Sequence, residues 1–143
     1  MRKICIIVIC SCIMLTACKK NKEEEVVVAV PVKTTAQKVL GKWIINSVVY
    51  NEYFNNLPHV STFNGVSTDY IEFKSNGIAI VNFQTLGPLD STSYSIANDS
   101  TLILEGEPQK IKELTDIKLV LYTKNISSTT PLEYEEQTIN LKK

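Results

Sequence analysis

The chain has 143 residues, with 15 basic side chains balanced by 15 acidic ones, and 44% of it is hydrophobic. That length suits one ordinary domain, and the charge balance argues against both a disordered acidic segment and a broadly basic nucleic-acid binder. All four cysteines (Cys5, Cys10, Cys12 and Cys18) fall in the first 18 residues, so the rest of the chain has no thiol for a disulfide or a Cys-ligated metal.

In chain order, Arg2 and Lys3 come first, followed by an uncharged apolar stretch from Ile4 to Ala17. As a helix these 14 residues would rise about 21 Å, short of the roughly 30 Å of a bilayer core, so they read as the apolar region of a secretory signal. The stretch ends in Leu15-Thr16-Ala17-Cys18, which resembles the lipobox of bacterial lipoproteins. An aliphatic residue at −3 and a small one at −1 let a peptidase reach the bond before a cysteine whose sulfur carries diacylglycerol. The resemblance implies a signal peptide over residues 1–17 and a covalent lipid on Cys18. It implies attachment to the outer membrane of a Gram-negative bacterium, because Lys19 and not Asp follows the cysteine. Two or more acyl chains make such attachment stable where one is marginal. No other cofactor is expected. Lys19-Lys20-Asn21-Lys22-Glu23-Glu24-Glu25 resembles a surface-export tag and equally suits the solvated start of a tether.

Residues 18–34 read as anchor and tether, since Val26 to Val32 is apolar but broken by Pro31. The domain is placed at residues 35–143. One short helical turn is expected at Thr35 to Val39, capped by Thr34 or Thr35. From there the pattern is β. Gly41 to Tyr50 alternates, with Trp43, Ile45, Ser47 and Val49 sharing a face. Tyr70 to Lys74 leads through Ser75-Asn76-Gly77, read as a type I′ hairpin turn, into Ile78 to Gln84. After a turn at Gly87-Pro88 come Ser91 to Ala97, Thr101 to Glu105, Lys110 to Leu114, Ile117 to Lys124 and Leu132 to Leu141. Eight short strands with frequent turn signals predict an all-β antiparallel barrel or a β-sandwich.

Gly41-Lys42-Trp43, opening the first strand just after a helical turn, resembles the lipocalin signature. Ile71-Glu72-Phe73-Lys74-Ser75-Asn76-Gly77, Tyr94-Ser95-Ile96, Leu102-Ile103-Leu104 and Leu119-Val120-Leu121 follow in an order similar to lipocalin-like domains of small bacterial lipoproteins. The resemblance implies an up-and-down eight-stranded barrel whose end Trp43 plugs, with Gly41 and Trp43 as the signature of that plug. Lipocalins place a late arginine over that tryptophan. The only arginine here is Arg2, leaving Lys142 or Lys143 as substitutes that lack the planar fork. An immunoglobulin-like sandwich is the alternative, but the single Trp lies on the first strand and no cysteine pair flanks it.

Reactive groups are few. His59 is the only histidine, and there is no phosphate loop, nucleophile elbow or HExxH string. An enzyme is not expected. The segment Asn51 to Thr68 reads as a long loop, a length that is uncommon and often functional. Its Tyr53, Phe54, Leu57 and Phe63, with Phe73 and Tyr94 from the strands, are candidate ligand contacts; the same aromatics could instead complete a small core. Asp90-Ser91-Thr92 and Asp99-Ser100-Thr101 resemble O-glycosylation acceptors and are also ordinary turn sequences. The expected function is binding of a small apolar or amphipathic molecule at the cell envelope. The alternative is a non-catalytic interaction module with an envelope protein partner, and nucleic acid is not an expected ligand. A cavity of a few hundred Å³ distinguishes the two.

Overall fold

The computed structural model describes residues 31–55, 57–84, 90–127, 130 and 133–143. Cys18, the signal segment, most of the tether and the turn at Gly87-Pro88 lie outside the described residues. Residues 31–34 are exposed and have no regular structure.

Helix α1 spans Thr35–Val39. Thr34 is its cap: the Thr34 hydroxyl accepts the Gln37 N–H at 3.3 Å, and the Gln37 amide oxygen accepts the Thr34 N–H at 2.9 Å. A helix this short is not stable by propensity. Tertiary contacts hold it: Val39 is fully buried, and its carbonyl accepts the Trp43 indole N–H at 2.6 Å.

Nine strands follow: β1 Gly41–Phe54, β2 Leu57–Asn64, β3 Tyr70–Phe73, β4 Ile78–Asn82, β5 Asp90–Asn98, β6 Thr101–Leu104, β7 Glu107–Leu114, β8 Lys118–Ile126 and β9 Tyr134–Lys142. All pairings are antiparallel, and the order β1-β3-β4-β5-β6-β7-β8-β9 closes through β9 back onto β1. This is a closed eight-stranded up-and-down barrel with one extra strand, and one sheet closed on itself excludes the sandwich. The core gathers Trp43, Phe73, Leu102, Leu119, Leu121 and Leu141.

Three expectations need correction. The segment Asn51 to Thr68 is not a loop: β1 runs on to Phe54, turns at Asn55 (φ 52°), and pairs with β2 from Ser47↔Asn64 to Phe54↔Leu57. Its polar, proline-containing sequence hid the strand, because β2 is exposed along almost its whole length and shows no apolar alternation. The inward face of β1 also changes partway along. Asn46 is an extra residue in the ladder between Ile45↔Leu141 and Ser47↔Asn140, so Val48 points inward while Ser47 and Val49 do not. Finally, the Ser75-Asn76-Gly77 turn has positive φ only at Gly77 (79°). Gly77 N–H donates to the Lys74 carbonyl and Lys74 N–H to the Ile78 carbonyl, which is a type I turn closed by a glycine bulge rather than type I′. The two-residue turn with both φ positive is Glu105-Gly106 (55° and 84°).

The bulge has a structural cause. On one edge β1 pairs first with β3 and then with β2, and the change of partner occurs at Ile45 and Asn46. Ile45 N–H donates to the Asp69 carbonyl at 2.9 Å, and Gly65 N–H to the Asn46 carbonyl at 3.0 Å. The approach is close enough that a Cβ on Gly65 would lie 2.0 Å from the Ile45 carbonyl oxygen. Asp69, fully buried, fixes the connection by accepting N–H bonds from Val66 (3.0 Å) and Gln84 (3.2 Å).

Candidate functional site

The strands alternate in direction, so the barrel has two unlike ends. At one end β1 begins and β9 finishes. There Trp43 is fully buried, and the Lys143 ammonium lies 4.3 Å from the centre of its ring. The same ammonium donates to the carbonyls of Lys38 (3.4 Å) and Leu40 (3.3 Å), tying the end of β9 to α1. Thr35 reaches Asp99 at 2.9 Å, fastening α1 to the end of β5. This end is plugged.

Among the described residues the other end carries no such plug. A cavity of about 610 Å³ lies inside the barrel. Its apolar wall is built by Ile45, Val48, Ile71, Phe83, Leu104 and Ile139, and above them stand Gln109, Thr123, Asn125 and Gln137. The register explains this gradient. Along β8 the inward positions are Leu119, Leu121, Thr123 and Asn125, and along β9, read backwards, Leu141, Ile139, Gln137 and Glu135. Each strand is greasy near the plug and polar near the mouth. Glu105 and Glu107, at the tight turn between β6 and β7, form part of the rim.

The hydrogen bonding of this collar is incomplete. Gln109 is only 7% exposed, and its amide oxygen has no partner among the described residues. Native structures leave few such groups unsatisfied. The Thr123 hydroxyl donates to the Pro108 carbonyl at 3.3 Å, and the Gln137 amide donates to the Tyr50 hydroxyl at 2.7 Å. Beyond the rim, β1 and β9 continue together, and a second cleft of about 370 Å³ opens there. Its lining includes Glu52, Phe54, Glu133 and Glu135, and it shares Asn125 with the barrel cavity.

The sequence-predicted contacts are placed elsewhere. Phe73 is buried in the core and meets Tyr94 edge to face at 4.9 Å. The Tyr94 hydroxyl donates to the Lys74 carbonyl at 2.7 Å, and burial pushes its phenol above the ordinary tyrosine value. Tyr53 stacks on Tyr134 at 4.2 Å, on the face of the sheet opposite Tyr50 and Gln137. Phe63 packs edge to face against Tyr50 at 5.7 Å, and Leu57 is exposed at the hairpin end. None of these six is among the residues lining the barrel cavity, and only Phe54 and Tyr53 border the outer cleft. Gly41 has φ 102°, which favours glycine where the chain turns into β1.

On the outer face, Lys124 sits 3.7 Å over the Tyr134 ring and pairs with Glu136 at 3.2 Å. The Tyr122 phenol beside them is pushed up by burial, then by its hydrogen bond to Glu136 and that carboxylate's charge. Among the described residues no group of three His, Cys, Asp or Glu is gathered to hold a metal. Compared with known proteins, the chain matches no family model, and no curated protein matches it.

Proposed function

We propose that the barrel carries a small amphipathic molecule in its interior, without catalysis, and that the protein is anchored by lipid on Cys18 at the outer membrane of a Gram-negative bacterium. The observation that carries the binding half is the 610 Å³ space opening at the end opposite the plug. Small-molecule sites typically measure about 300–1,000 Å³ and are mostly apolar with a few placed polar groups, as this one is. A barrel filled by its own side chains would suit the interaction module instead.

The test of binding uses N-phenyl-1-naphthylamine, a neutral apolar dye, with the full chain. Its fluorescence is expected to rise on the wild-type protein and to be lost in Ile139→Trp, which fills the cavity. No enhancement on a folded wild type would end the reading. The anchoring half rests on Leu15-Thr16-Ala17-Cys18. Mass spectrometry of the native protein is expected to find Cys18 first and acylated, and Cys18→Ser to release the chain from the membrane fraction.

A further inference from the structure

We infer that the headgroup accepted at the mouth is a cation, an apolar body ending in a protonated amine, and that fatty-acid carboxylates are rejected. This rests on the carrier reading above and specifies its ligand. The chain as a whole has no charge excess, yet the mouth is one-signed. Glu105 and Glu107 line the cavity, Glu52, Glu133 and Glu135 line the adjoining cleft, and among the described residues no Lys, Arg or His lines either. Among the described residues none of these five carboxylates forms an ion pair; the two salt bridges belong to Glu113 and Glu136.

The strand register makes the imbalance sharper. Glu52 on β1 stands directly opposite Glu135 on β9, on the same face as the Tyr50–Gln137 pair. Like charges at directly opposed positions destabilise a sheet pair, so this placement favours a cation arriving between them. Lys124 lies across from the neighbouring Glu136 and bonds it on the other face, so it does not relieve the Glu52–Glu135 pair.

The neutral collar points the same way. The Thr123 hydrogen is committed to Pro108 and one Gln137 N–H to Tyr50, so the oxygens of both side chains can accept from a ligand. The buried Gln109 oxygen is also without a donor. A headgroup that donates N–H bonds satisfies these acceptors and carries the charge the rim lacks. A carboxylate would find neutral amide N–H donors in the collar but meet the like charge of the rim.

The experiment displaces N-phenyl-1-naphthylamine from the full chain at pH 7 and low salt with decylamine, decanol and decanoate, which share one chain length. Decylamine is expected to displace at least about tenfold more tightly than decanoate, with decanol between them. In the double variant Glu52→Gln, Glu135→Gln the gap between decylamine and decanol is expected to close to about twofold, and raised salt should narrow it in the wild type. Decanoate competing as well as decylamine overturns the charge assignment while the cavity stands. An undiminished amine preference in the double variant also overturns it. Absence of dye binding removes the carrier reading itself.

Discussion

The two ends of this barrel are made from the same strands and are built in opposite ways. At the plugged end the indole N–H is answered by Val39, the helix N-terminus by Thr34 and Gln37, and carbonyls at the end of the helix by Lys143. At the mouth an amide oxygen is buried without a donor and two carboxylates face each other. The first end is closed by side-chain packing, and the second keeps an open cavity. Mutations at the two ends are therefore expected to change stability in opposite directions.

The largest effect is expected from Trp43→Ala. Removing a fully buried indole from the plug should cost about 3–5 kcal/mol in urea unfolding. A loss under 1 kcal/mol would mean that the plug is not the stable end. Gly65→Ala comes next, at about 2–3 kcal/mol, because its Cβ would collide with the Ile45 carbonyl where β1 changes partners. A neutral result there would mean that the bulge is a soft joint. Gln109→Met should act with the other sign. It keeps the volume while removing an unsatisfied buried amide, so the ligand-free protein should gain about 1 kcal/mol and melt a few degrees higher. A destabilised variant would contradict the division between the two ends.

The smallest effect concerns alkaline pH. The Tyr94 phenol is raised by burial, so its folded value lies above its unfolded one. Its stabilising contribution is then complete below about pH 10 and is lost as pH rises through the folded value. Tyr94→Phe should show a shallower fall in stability above about pH 10, measured by denaturant midpoint. An unchanged slope would remove Tyr94 as the cause.

Most of the plugged end was legible in the sequence. Trp43, Ile71, Phe73, Leu102, Leu119 and Leu121 are apolar at alternating positions, and alternation is what a buried sheet face requires. The open end was harder to read because a collar breaks that rule. Thr123, Asn125, Gln137 and Glu135 look like solvent-facing residues until the register shows that they continue the inward rows of Leu121 and Ile139. The gradient from Leu119 to Asn125 was a usable signal all the same, since an inward row that turns polar midway marks where a barrel opens. The bulge at Asn46 carried no such sign. It follows from the switch of partner at Gly65 and Asp69, a contact between segments about twenty residues apart, and it inverted the faces of Ser47, Val48 and Val49. The β1–β2 hairpin escaped for a third reason: hydrogen bonding along β1 holds it with little burial of its own.

Thr35 and Lys143 both lie at the plugged end, Thr35 bonded to Asp99 and Lys143 set over the Trp43 ring. Anything joined to the Lys143 side chain or close to it meets the barrel on its plugged side. A reporter dye, an affinity handle or a sensor chip coupled through Lys143 thus sits away from the open end.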